Sequence, residues 1–319
     1  MWYTYKNEVI ILKKVGVSTI ILLILLVVCY TYRTEIVSYV MSNVVQHKEV
    51  TAPNDNSYTN NFDFAFVNTT QHFHVTSRQD ILDVIYTVLN SGENEFKFYC
   101  DINYENCKDD LKNISENQAL LSTINNMVSP YNSYKKLYIT INSYGEATIN
   151  IDKLYSDIDI KVLNNKINEI ESMAIRDNMT IREKIKAFHD YLVNHTTYDE
   201  NRAKAIENNT DTVPVHNSHK ANGPLLEGYA LCSGYSDAMK LFLDELKIPN
   251  YKISNDKHIW NLVYIDNKWL HIDLTWDDPV TNDGTNLLLD NFFLITTEEL
   301  LKLDVSNHGY NPDYYLELK

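Results

Sequence analysis

Basic side chains are in deficit: 28 Lys and Arg stand against 43 Asp and Glu, for a net charge of −15. That is the wrong sign for a protein held to nucleic acid through its phosphates, so no nucleic-acid partner is expected. Glycine (8) and proline (7) are scarce too, which argues against collagen-like, glycine-loop and proline-rich linker architectures. The four cysteines, Cys29, Cys100, Cys107 and Cys232, are too few and too scattered for a disulfide miniprotein or a four-thiolate zinc site. What is present is length and apolar content. At 319 residues, 44% hydrophobic and 12% aromatic, the chain can bury a sizeable core in one or two compact units.

Residues 15–32 carry no charged side chain and include the run Ile20, Ile21, Leu22, Leu23, Ile24, Leu25, Leu26, Val27 and Val28. A helix of that length is roughly 27 Å long, near the hydrocarbon thickness of a bilayer. Lys6, Lys13 and Lys14 precede it. The expectation is therefore a single-pass anchor in the cell membrane: residues 1–14 a cytoplasmic tail, 15–32 a transmembrane helix, and the rest extracytoplasmic. Residues 33–61 would be a juxtamembrane segment and tether, since the stretch from Lys48 to Asn61 is polar and contains Pro53.

Residues 62–156 predict a small α+β domain. Phe62, Phe64 and Phe66 alternate as a strand would, and Ser77 can cap a helix carrying Ile81, Leu82, Ile85 and Leu89. Residues 96–100 predict a strand, 111–128 a helix, and 137–151 a hairpin around Tyr144, Gly145 and Glu146. Cys100 and Cys107 are disulfide candidates in an oxidising compartment, closing a loop worth about 2.5 kcal/mol in the chain-entropy model. Two free thiols are the alternative.

Residues 157–319 begin with two amphipathic helices, the second opened by a capping-box pattern at Thr180 and Glu183. A third helix carries Tyr235, Ala238, Met239, Phe242, Leu243 and Leu246, with Cys232 at its N-terminus. There, unpaired backbone N–H groups and the helix dipole favour a negatively charged sulfur. Next come two strand-like runs, 258–265 and 268–275, separated by the turn residues Asp266 and Asn267. With that pair as the loop, Ile265 opposes Lys268. His258 and Asp273 then become diagonal neighbours on one face, within imidazole-to-carboxylate reach. His271 lies on the same face and is the rival histidine. A thiol at a helix N-terminus with a histidine oriented by an acid is what nucleophilic acyl transfer needs.

At these residues the sequence resembles the transglutaminase-like superfamily, in its bacterial exported, membrane-anchored branch. The likeness rests on Gly223, Leu225, Gly228, Ala230, Cys232, Gly234 and Tyr235, then His258, Trp260 and Asn261. Trp269, Asp273, Thr275, Trp276, Asp277, Asp278 and Pro279 follow, and residues 291–294 complete it. Such a resemblance implies a papain-like fold for 157–319, with the nucleophile on a helix packed against an antiparallel sheet. It implies Cys232 as nucleophile, His258 as general base and acid, and Asp273 as the group orienting His258. Trp260 and Asn261 would support the site, and Tyr198 is a candidate near the oxyanion. Ser233 and Lys257 depart from the common pattern and leave substrate preference open.

The whole chain is thus expected to be an α+β protein: an anchored cysteine peptidase, amidase or protein cross-linking transglutaminase acting on protein or peptide at the cell envelope. A catalytically silent module binding peptide or wall material is the other reading. No cofactor and no metal are called for. His216 and His219 have no matched further ligands, and Asp277, Asp278 and Asp283 lack the spacing of a calcium loop.

Overall fold

The computed structural model describes residues 2–40, 43, 48–142, 144–210, 214–280 and 287–319, with side chains described from Gly16 onward apart from Ser38. Two helices lead the chain, α1 (Trp2–Thr31) and α2 (Arg33–Val40). Neither serves as the expected transmembrane helix, for among the described residues no helix is long and apolar enough to cross a membrane. The fold class is corrected to mixed α+β with no spanning helix among the described residues, and the single-pass localisation loses its basis.

Residues 48–61, expected to be a tether, lie against the protein. Asn56 exchanges hydrogen bonds with Asn132, the Asn60 N–H donates to Asn90 Oδ1 at 2.8 Å, and Asn164 Nδ2 donates to the Tyr58 hydroxyl at 3.1 Å. Part of the polar composition here serves side-chain bonding. Residues 62–66 do not form a strand either. Phe64 drops between Tyr86 and Tyr251, with ring centroids 6.0 and 5.3 Å away, and the Ala65 N–H is taken by Glu317 at 2.8 Å instead of a neighbouring strand.

The first sheet is built from β1 (His74–Val75), then α3 (Arg78–Ser91), β2 (Glu95–Cys100), α4 (Cys107–Glu116), α5 (Gln118–Met127), β3 (Tyr134–Ile141) and β4 (Glu146–Lys153). Its strand order is β1-β2-β4-β3. Ser77 caps α3 in a capping box with Asp80. The expected helix over 111–128 is two helices, because the Asn117 side chain accepts from the Leu120 N–H at 3.0 Å and starts α5 afresh. Cys100 and Cys107 are joined by a disulfide. Replacing both by Ser is expected to lower unfolding stability by about 2.5 kcal/mol in denaturant melts, without changing the reactivity of Cys232.

The second half continues with α6 (Asp157–Ala174), α7 (Ile181–His195), β5 (Thr197–Tyr198), α8 (Glu200–Glu207), β6 (Tyr229–Ala230), α9 (Cys232–Glu245), β7 (Asn250–Ser254), β8 (Ile259–Ile265), β9 (Lys268–Ile272), α10 (Leu274–Asp277), β10 (Phe293–Ile295) and α11 (Thr297–His308). Strands β10-β9-β8-β7 make one antiparallel sheet. Its register is the one read from the turn: Ile265 opposes Lys268 and Asn261 opposes Ile272. Asp266 and Asn267 both take positive φ, 54° and 60°, which turns the hairpin with the twist of its strands. The second run stops at Ile272 rather than Thr275, because Asp273 caps α10.

Alternation along β8 puts this sheet between two cores. Trp260 and Leu262 face the core shared with Phe64, Tyr86 and the helices of the first half. Val263 and Ile265 face the core of α6, α7 and α9. The first half is therefore packed onto the sheet that carries the candidate site, and Asn126 of α5 donates to Ser254 of β7 at 2.9 Å across the junction.

Candidate active site

Cys232 is the first residue of α9, partly exposed and unbonded. The chain is led into that position by two short pairings. β5 and β6 run parallel with Tyr198 opposite Ala230, and the Leu231 N–H donates to Ser218 O at 2.7 Å. Gly234 allows the second contact, since a Cβ there would lie 2.3 Å from the Ser218 carbonyl oxygen. Asn261 of β8 then ties the helix to the sheet by donating to Ser236 O at 2.9 Å.

His258 stands just before β8, and its Nε2–H donates to Asp273 Oδ2 in a short hydrogen bond. The Cys232 sulfur also interacts with this imidazole. Burial alone would lower the His258 pKa. The Asp273 carboxylate and then Cys232 outweigh it and raise the value to about 10. Asp273 is 1% exposed. Burial there favours the neutral acid, but His258 and His308 overcome it and hold the carboxyl well below 3.8. The histidine is thus held cationic and the acid anionic at neutral pH.

The structure brings the three residues together with Tyr198 and Trp260. Burial, then the nearby Cys232, push the Tyr198 hydroxyl up. Trp260 stacks on His258, with centroids 5.5 Å apart and planes 17° apart. It also separates the two rival histidines, because its indole N–H donates to His271 Nδ1 at 3.0 Å. An accepting Nδ1 leaves His271 Nε2–H to donate to Thr297 Oγ1 at 3.0 Å. Buried and beside His308, His271 is pushed down to about 3 and stays neutral. It is a packing residue.

The turn after Asp273 is anchored by groups that sequence periodicity left without a role. Buried His189 of α7 places Nε2 3.0 Å from Asp277 Oδ2 and Nδ1 2.9 Å from Asp190 Oδ1. The Phe292 N–H donates to the other Asp277 oxygen at 3.0 Å. Tyr235 of α9 donates to Asp278, whose pKa burial pushes up to about 6. Asp277 and Asp278 are accordingly bound to protein, and Asp283 lies outside the described residues. His216 stacks on Tyr229 at 4.0 Å.

One residue of the site escaped sequence reading. His308, the last residue of α11 and fully buried, puts Nε2 2.9 Å from Asp273 Oδ2. It lies far down the chain beside Gly309, where it reads as an ordinary helix end. His258, Asp273 and His308 bring three ligand-type atoms within 4.8 Å of one another. Both Nε2–H groups point at the same carboxylate oxygen, so hydrogen bonds account for the cluster.

No protein-family model matches the chain, and no curated protein does. Among solved structures, the chain is similar to one described as "Crystal structure of a TGase", at 20% identity and a TM-score of 0.32. The similarity covers 45% of this chain and 44% of that one, so the chain spans less than half the length of that relative. At that TM-score the likeness says nothing about activity.

Proposed function

We propose that this protein is a thiol acyl-transfer enzyme acting on amide or peptide bonds of proteins, of the transglutaminase-like kind. The observation that supports it is the His258–Asp273 hydrogen bond, with Cys232 at the start of α9 interacting with the same imidazole. The Cys232 sulfur attacks the carbonyl carbon and forms a C–S bond. The carbonyl oxygen takes the negative charge, with the Cys232 backbone N–H, unpaired within the helix, as one donor to it. Collapse breaks the C–N bond as His258 gives its proton to the leaving amine. A thioester remains on Cys232. Water or a primary amine then attacks it, with His258 taking the incoming proton, and Cys232 is released. Asp273 keeps the His258 ring oriented and stabilises its charge throughout. Tyr198, Trp260 and Asn261 are supporting residues in this scheme.

Hydrolysis and amine transfer differ only in which nucleophile reaches the thioester. Incubating the purified protein with unfolded, glutamine-containing proteins, with and without a labelled alkylamine, separates them by mass spectrometry. The expected result is Cys232-dependent peptide cleavage or deamidation without amine, and incorporation of the amine if transfer dominates. A silent peptide-binding module would produce none of these changes, and that outcome would remove the enzyme reading.

A further inference from the structure

We propose that His308 is a positioning residue for the Cys232–His258–Asp273 unit, and that Asn255 is the staple holding it in place. This rests on the acyl-transfer reading of that unit. Asp273 Oδ2 accepts from both His258 and His308, while Oδ1 accepts from the Thr275 N–H at 3.0 Å. A carboxylate held at both oxygens cannot rotate, so His258 can rotate only by leaving its partner. With His308 removed, Oδ2 would be held by His258 alone, the group whose orientation it has to set.

The His308 ring is itself tightly held. Nδ1 faces Asp304 O at 3.2 Å. The ring stacks on Phe292 at 5.3 Å and 20°, and meets Trp260 edge-on at 5.0 Å and 77°. A straight α11 would not present position 308 in this way. The helix is kinked at Asp304, which takes φ −156° and ψ 86°, and the Asp304 carboxylate accepts from Ser306 Oγ at 2.7 Å and Asn307 Nδ2 at 2.8 Å.

Asn255 links this segment to the one bearing His258. Its Nδ2 donates to Asn307 O at 2.7 Å and Gly309 O at 2.9 Å, the carbonyls on either side of His308. Its Oδ1 accepts from the backbone N–H groups of Lys257 and His258, each at 2.9 Å. One side chain therefore grips the backbone beside both histidines that meet on Asp273. A residue present only for packing would need neither the carboxylate contact nor the shared staple.

Three variants test this: His308→Phe keeps a ring and removes its N–H donors, His308→Gln keeps a donor, and Asn255→Ala removes the staple from a partly exposed position. Two readouts apply, the slowly exchanging, downfield Nε2–H proton of His258 by NMR and the alkylation rate of Cys232 near neutral pH, with melting curves confirming the fold. His308→Phe is expected to lose the proton signal and to slow alkylation about tenfold or more, because small misplacements in such units are costly. His308→Gln should retain the signal and most of the rate, and Asn255→Ala should fall between them. The proposal is overturned if folded His308→Phe keeps both readouts at the wild-type level, or if His308→Gln is as impaired as His308→Phe. Should His308→Phe not fold, a wild-type signal and rate in Asn255→Ala, or loss of both in folded His308→Gln, overturns it equally. If wild-type Cys232 alkylates no faster than a simple thiol, the acyl-transfer reading falls, and the His258 proton signal still decides whether His308 holds Asp273.

Discussion

Cys232→Ala is expected to reduce turnover of any amide substrate by about 10⁴-fold or more, since it removes the atom that forms the covalent intermediate. The variant should fold normally: Cys232 is partly exposed and forms no disulfide, so its loss leaves no large cavity. It should also fail to accumulate a thioester adduct in intact-mass spectra under conditions where the wild type does so. A variant that still turned over substrate would place the chemistry elsewhere in the molecule.

Asp273→Asn carries the second large effect. An amide at this position can offer an N–H to His258 Nε2 and so favour the wrong tautomer. On the precedent of the serine-protease triad, turnover should fall on the order of 10⁴-fold. The same change removes the chief group holding His258 at about 10, so its NMR titration should move down. Stability should change with pH in a defined direction. His258 has a raised folded pKa, so its contribution is complete below about 6.5 and is lost as pH rises toward 10. Asp273 has a depressed folded pKa, so its contribution is present above 3.8 and is lost as pH falls through the lower folded value. Denaturation midpoints of the wild type should decline between pH 6.5 and 10. Asp273→Asn should flatten that decline.

Much of the site was legible because it rests on local chemistry. Two turn residues, Asp266 and Asn267, set the register of the β8–β9 hairpin, and that register carries His258 to Asp273. Helical spacing after Cys232 placed it at the start of α9, and a cap at Ser77 and a capping-box pattern at Thr180 marked two other helix starts. Long-range relations were not legible. His308 reaches Asp273 only because α11 kinks at Asp304, a break that the pattern of apolar residues does not announce. Phe62, Phe64 and Phe66 alternate like a strand, yet Phe64 serves a core shared between the two halves. The uncharged run over residues 15–32 suggested a span, whereas among the described residues no helix is long and apolar enough to cross a membrane. Periodicity reports what one element does to its own faces. Which other element covers them depends on the rest of the chain.

The central claim is that Cys232 and His258, oriented by Asp273, act as one nucleophilic unit. Its most direct test is the rate at which Cys232 is alkylated at pH 6 to 7 compared with a simple free thiol, which is mostly protonated there with a pKa of about 8.5. Labelling about a hundredfold faster than the free thiol, with most of the advantage lost in Asp273→Asn, is the predicted result. Labelling at the free-thiol rate, unchanged in that variant, would contradict it.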